Sequence, residues 1–415
     1  MSVSSDEQVL SARWVFPATN VPLPHGTVTI QADRIVSVDP AGVRSPDIDF
    51  GNAAIIPGLV NAHTHLDLCG MLGAVPPGPD FVDWLRQVVA HRRNRRPEQT
   101  ALDIRAGLRD SLRFGTTLIG DIASGGMSWD ALSTAPVWAV CFREVLGLPS
   151  GRVNAAWTDL GNWINDHPDT PTCRAGASPH APYSVHRALI EAAARLWPVC
   201  IHLAESPEEL ELLETKTGPF VPFLKELGVW DSAGLAPSVD WVTWKASRAP
   251  AALFAHGNYL SPQTRIHSNS TVVYCPRTHA AFGHPEHPWR ELQARGVRIA
   301  LGTDSLASNP DLDILAEAKF LHAKMPDIPG QDLLRMATIH GAESLGFGDR
   351  TGSLTPGKSA DLVVVPLTEK DAFDPHSLLF SNDAVAGTRR TMWRGKWRTA
   401  LKASRRSSEK SKLPA

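Results

Sequence analysis

Six side chains in this sequence have types and positions suited to hydrolytic metal chemistry. His63 and His65 stand two apart at the end of the strand-like run Ile55-Ile56-Pro57-Gly58-Leu59-Val60-Asn61-Ala62. Alternate residues of a strand face the same way, so both imidazoles can reach one ion. A lone H-x-H pair is a weak signal, because most such pairs bind nothing. Three further residues add to it. His202 closes the apolar run Pro198-Val199-Cys200-Ile201, His256 closes Leu253-Phe254-Ala255, and Asp304 follows Arg298–Leu301 and the dipeptide Gly302-Thr303. Each of these polar residues sits where a strand stops. Taken singly, each is equally at home as a hydrogen-bonded core or loop residue. Taken together, imidazoles and a carboxylate at strand ends make a borderline-soft site suited to one divalent ion, Zn²⁺ first and Fe²⁺ second. Glu205 lies three residues beyond His202, where strand gives way to loop. A carboxylate beside a metal site is a natural proton shuttle. The neighbouring Ser206-Pro207-Glu208-Glu209 reads as a helix cap with an acidic first turn. Glu208 and Glu209 fit that reading, whereas Glu205 is on the wrong side of the cap.

The elements that must position these residues are short apolar runs alternating with helical stretches. The runs include Thr116–Ile119, Val137–Phe142, Val199–Leu203, Leu253–Ala255, Thr271–Tyr274 and Arg298–Leu301. Between them lie helical stretches such as Thr100–Arg113, Arg187–Leu196, Pro207–Thr215 and Asp313–Ala323. This alternation predicts a parallel α/β fold, and its length suits a closed (β/α)₈ TIM barrel, whose active face is formed by the C-terminal ends of the strands. The two chain ends read differently. Thr27–Ile30, Ile35–Val38, Leu362–Val365 and Thr391–Trp393 are strand-like and bounded by turn signals, so both ends are expected to pair into one small β domain. The expected division is 1–57 and 352–400 for that β domain, 58–351 for the barrel, and 401–415 as a disordered basic tail.

Composition narrows the function classes. The chain has 415 residues, 43% hydrophobic and 20% charged, with a formal net charge of −2. Nothing there points to nucleic acid or a membrane as a partner. The run His91-Arg92-Arg93-Asn94-Arg95-Arg96 is read as the solvated end of a helix. Five dispersed cysteines without a C-x-x-C pair predict no disulfide framework, hence a cytoplasmic protein. The start MSVSSDEQVL predicts no signal peptide, and no apolar run is long enough to span a membrane.

The sequence resembles the amidohydrolase superfamily, specifically its cytosine deaminase-like and triazine hydrolase-like branch. The resemblance runs from about residue 12 to 400. It rests on PGLVNAHTHLDL (57–68), FGTTLIGD (114–121), SPHAPYSV (178–185), HLAESPEE (202–209), AHGNYL (255–260), YCPRTH (274–279), LGTDSLASNPDLDIL (301–315), ATIHGAESLG (337–346) and GSLTPGKSADLVVV (352–365). It implies a distorted (β/α)₈ TIM barrel with a small β-sandwich made from both chain ends, and one catalytic metal held by His63, His65, His202 and Asp304. His256 would then orient the attacking water or polarise the group under attack. Binuclear relatives carry a bridging lysine where Ala175–Tyr183 has none and offers His180 instead. The implied reaction is metal-assisted attack of water on an aminated ring carbon. Asp304 takes the first proton, Glu205 protonates a ring nitrogen, His256 stabilises the tetrahedral centre, and ammonia leaves. Related enzymes are often dimers or tetramers, and the resemblance carries that expectation.

Within this branch the sequence is similar to deaminases of aminofutalosine, S-adenosylhomocysteine and methylthioadenosine. His180 corresponds to a histidine on substrate sugar or purine. Asp83, in FVDWL, lies where related enzymes place a glutamate on ribose hydroxyls, one methylene longer. Arg143 is a candidate for a substrate carboxylate, with an ion pair to Glu144 as the competing use. Arg277 and His279 lie in a loop closer to the C-P-R version of the aminofutalosine deaminases than to C-P-[ST]-[SN]-N. Trp84 and Phe282 are candidates to stack on a purine. Two other functions remain open: a same-fold hydrolase of an amide, a ring lactam or a chlorotriazine, and a non-catalytic binding barrel. The first is separated by whether Glu205 is essential, the second by whether metal is bound.

Overall fold

The computed structural model describes residues 7–368, 370–380 and 389–398. The tail 401–415 expected to be disordered lies outside the described residues. Eight parallel strands run in unbroken chain order around one sheet: Leu59–Thr64, Thr116–Ala123, Trp138–Val145, Cys173–Pro179, Val199–Leu203, Ala252–His256, Ser270–Tyr274 and Arg298–Leu301. A parallel bridge from Thr64 to Asp304 joins the first strand to the segment after the eighth and closes the barrel. These strands are buried along nearly their whole length, as strands covered on both faces must be.

The barrel is irregular where the candidate ligands sit. Register shifts break the pairing of the first and second strands beside Asn61–Thr64. The fourth and fifth strands share a single paired position, Ala177 with Val199. Past it, His202 donates its backbone N–H to the His180 carbonyl at 2.8 Å, which ties together the loops above the two strands.

Both chain ends contribute to the remaining sheets. Leu362–Pro366 pairs antiparallel with Ala53–Pro57, placing Val364 opposite Ile55, and Arg390–Trp393 pairs with Leu362–Pro366 on its other side. A second sheet is built from Glu7–Ser11, Thr27–Gln31, Arg34–Asp39 and Ile48–Asp49. Residues of both sheets share one apolar cluster, including Leu10, Val28, Ile35, Ile55, Leu362 and Met392. The chain passes from these sheets into the barrel at Pro57-Gly58-Leu59. A Cβ at Gly58 would lie 2.0 Å from Thr117 Oγ1, so only glycine allows this close crossing. No helix among the described residues is long and apolar enough to cross a membrane.

Candidate active site

Each predicted ligand arises at the C-terminal end of a barrel strand, and the strands bring them together. His63, His65 and His202 offer ring nitrogens within 4.8 Å of one another, and His63, His256 and Asp304 form a second such group that shares His63. Nε2 of His65 and Nε2 of His202 are 3.1 Å apart. Asp304 Oδ1 lies 3.6 Å from His63 Nε2 and 3.5 Å from His65 Nε2. All five side chains are buried.

The donor set fits a divalent ion on two grounds. Nε2 of His63 and of His256 are buried without a hydrogen-bond partner, a costly arrangement unless something else occupies them. Nδ1–H of His202 donates to the His180 carbonyl at 2.9 Å, which leaves the Nε2 lone pair facing His65. Burial also holds the His65 and His202 imidazoles well below their ordinary pKa, and their neutral forms are the ones that ligate metals. Asp304 is pushed upward by burial, yet its contacts with His63, His256 and His65 prevail and keep it well below the usual carboxylate range. Its other oxygen, Oδ2, accepts from Ser308 Oγ at 2.6 Å, which directs Oδ1 at the histidines. Ser308→Ala is expected to weaken metal affinity about 10- to 100-fold, the usual cost of losing such an orienting contact. Titration of the apo protein with Zn²⁺ checks it.

Three of the eight non-glycine residues with positive φ among the described residues are at the same place. Ala204, His256 and Asp304 adopt φ values of 51°, 68° and 56°. Non-glycine residues pay about 1–3 kcal/mol each for such conformations, and they gather at functional sites.

Glu205 leans over the ligands. Its Oε1 lies 3.4 Å from His256 Nε2, and burial raises its pKa well above the ordinary value, with Asp304 and Glu209 adding to the rise. Ser206 caps the following helix, Pro207–Thr215, by accepting from Glu209 N at 3.3 Å. The acidic first turn is only half solvated, however. Glu209 is fully buried and accepts from the backbone N–H of Ala204 and of Glu205, both at 3.0 Å. It therefore fixes the turn that presents Glu205, a role the reading as a helix-end charge overlooked.

A cavity of about 500 Å³ opens in front of His65, His202, Glu205 and Asp304. One wall is polar, with Glu144, His180 and Arg92. The other is apolar, with Trp84, Val88, Phe223, Leu224 and Leu227. His180 stands next to the candidate ligands, its ring 4.6 Å from that of His202. Trp84 is on the wall, whereas Phe282 packs edge-on against it from behind.

Four expected substrate contacts are not brought to the cavity. Asp83 lies on the outer face of the helix Phe81–Asn94, where Arg86 and Gln87 take its carboxylate. Phe81, Trp84, Leu85, Val88 and Arg92 recur at helical spacing and form the inner face, nearly half a turn away. Arg143 points outward because the third strand runs on to Val145, so Arg143 and Glu144 face opposite ways. Arg143 binds Asp159, while Glu144 enters the cavity. Arg277 joins its helix, Pro276–Ala281, to the helix Ile314–Lys324 and the loop before it, donating to Glu317 at 2.7 Å and Asp311 at 2.6 Å. His279 is buried against Tyr274, behind the site.

Arg92 corrects the reading of the arginine-rich run. It bridges two buried carboxylates, meeting both oxygens of Glu144 at 3.2 Å and Asp67 Oδ2 at 3.0 Å. Arg92→Met would leave both uncompensated, so it is expected to destabilise the fold by about 3–5 kcal/mol, read as a lower Tm. Burial alone would raise the Glu144 pKa, but Arg92 and His180 bring it down to about 2. The unfolded value is about 4.3, so the stability Glu144 contributes is complete above that pH and is lost as pH falls through about 2. In Arg92→Met burial is no longer offset by the guanidinium, so the Glu144 pKa should rise and the stability lost on acidification should shrink.

The amidohydrolase family model matches residues 54–398. The 5-methylthioadenosine/S-adenosylhomocysteine deaminase of Syntrophobacter fumaroxidans is 29% identical over 364 residues, covering 82% of this chain and 80% of that protein. The aminodeoxyfutalosine deaminase of Deinococcus radiodurans is 30% identical over 329 residues, covering 74% of this chain and 76% of that one. A zinc-bound adenosine deaminase from Xanthomonas campestris superposes with a TM-score of 0.75 at 26% identity, covering 94% of this chain and 92% of that chain. With the family model matched from the last strand of the N-terminal sheets through the whole barrel, this chain belongs to the amidohydrolase family.

Proposed function

We propose that this protein is a metal-dependent aminohydrolase that deaminates an aminated purine-like nucleoside and releases ammonia. The observation that carries the reading is Glu205, a buried carboxyl with a raised pKa 3.4 Å from His256 Nε2, at the cavity end where the four candidate metal ligands converge. The relatives named for deamination of adenosine-type nucleosides support the substrate class.

His63, His65, His202 and Asp304 would hold one ion, Zn²⁺ in the first instance. Bound there, it would lower the pKa of water towards ~7 and make a nucleophile available at neutral pH. Asp304 accepts the first proton of the attacking water. The Glu205 carboxyl gives its proton to the ring nitrogen beside the amino-bearing carbon. His256 hydrogen-bonds the oxygen that becomes the product carbonyl. A proton passed through Glu205 to the amino group lets ammonia leave, so water and amine are exchanged for carbonyl and ammonia. His180, on the wall next to the ligands, orients the purine or sugar. The apolar wall receives a substituent on the sugar, as aminodeoxyfutalosine, S-adenosylhomocysteine or methylthioadenosine would supply.

We assign the reaction to 58–351, with 1–57 and 352–400 as its supporting sheets, and place the protein in the cytoplasm. The free cysteines among the described residues support a reducing compartment. A panel of those three nucleosides, adenosine and a chlorotriazine tests the function. Ammonia from a nucleoside supports it. Chloride from the triazine with no ammonia from any nucleoside would move the assignment to dehalogenation.

A further inference from the structure

The histidine given a role at the reacting carbon sits on a backbone that other residues must hold in place. His256 has a φ of 68°, and Gly257 N–H closes back onto the Ala255 carbonyl at 3.1 Å. An i to i+2 closure with positive φ at the central residue is the rare, strained form of γ-turn. The His256 carbonyl accepts a hydrogen bond at 2.8 Å from Nε2–H of His287, 31 residues on. His287 is itself 2% exposed, and its ring rests on Tyr274 with 4.0 Å between centroids. The Tyr274 hydroxyl meets His279 Nδ1 at 3.4 Å, so the layer behind His256 is packed and continuous. Nδ1 of His287 has no hydrogen-bond partner. Its single proton is therefore on Nε2, aimed at the carbonyl, and the ring acts as a fixed dipole rather than a proton carrier.

We propose that His287 is a positioning residue, whose Nε2–H grips the His256 carbonyl and so keeps the His256 imidazole facing Glu205 and the reacting carbon. This rests on the role given to His256 above. It also accounts for the fate of His279, which supports this layer instead of meeting substrate.

His287→Leu removes the donor, and His287→Gln keeps an N–H at similar reach. His287→Leu is expected to lower kcat about 10- to 100-fold while KM and bound metal stay near wild type, and His287→Gln should recover most of the loss. In a His256→Ala background, adding His287→Leu should cost nothing further, because the effect runs through His256. Crystal structures read the same point without activity. In His287→Leu the His256 imidazole should move by about 1 Å, a displacement that can cost about 100-fold, whereas His287→Gln should leave it in place. An additive loss in the His256→Ala background, or an unmoved His256 in His287→Leu crystals, would overturn the proposal. Should His287→Leu fail to fold, His287→Asn, whose amide stops one methylene short, takes its place. If the wild-type enzyme releases no ammonia from any nucleoside, the deaminase reading fails, and the crystal structures still decide what His287 does.

Discussion

Glu205→Gln is expected to lower ammonia release by about 10²–10⁴-fold, the range that a positioned proton donor contributes, while leaving bound metal unchanged. The amide is nearly the same size and can still accept the Glu205 neighbours' contacts, but it has no proton to give to a ring nitrogen. The structure makes this a clean substitution. Asn258 Nδ2 donates to the Glu205 carbonyl at 2.9 Å, and Glu209 receives its backbone N–H, so the turn is held by main-chain groups that the change does not touch. Burial raises the pKa of this carboxyl well above the ordinary glutamate value, the direction a proton donor needs. Wild-type rates in Glu205→Gln would remove this residue from the reaction.

His202→Ala is expected to lose metal and activity together, by about 10³-fold in rate, since the ion supplies several kcal/mol of charge stabilisation. His202 is a demanding test because its orientation is fixed on both sides. Nδ1–H is committed to the His180 carbonyl, and Nε2 faces His65 at 3.1 Å. Ligand binding stabilises only the state that binds, by about 2.7 kcal/mol when free ion is at 100 times Kd. Added Zn²⁺ should therefore raise the Tm of the chelated wild type and leave that of His202→Ala unmoved. A variant that still takes up one ion with wild-type affinity would remove His202 from the ligand set.

The sequence made the barrel legible because its strands are short, apolar and separated by amphipathic helices, and because polar residues at strand ends stand out against such runs. That logic placed His63, His65, His202, His256 and Asp304 in one cluster. It served less well where orientation rather than position decides. Arg143 and Glu144 are neighbours, and three further residues of strand decide which of them enters the cavity. Asp83 and Arg92 share one helix, and only the phase of its apolar stripe separates the outer face from the inner. That stripe was available in the sequence and would have identified Arg92. The Ser206–Glu209 spacing would have aimed Glu209 back at the Ser206 N–H as in a capping box, whereas its carboxylate reaches further, to the N–H groups of Ala204 and Glu205. The grip of His287 on His256 had no such local signal. It depends on a strained turn and a tertiary contact that no periodicity encodes.

The most direct test is ammonia released per nucleoside consumed, measured on purified protein loaded with one Zn²⁺ per chain, beside Glu205→Gln at the same metal content. The account predicts one ammonia for each substituted adenosine converted to its oxo product, and loss of that signal in the variant. Equal rates in both proteins, or metal-loaded wild type inert towards every aminated purine nucleoside, would contradict it.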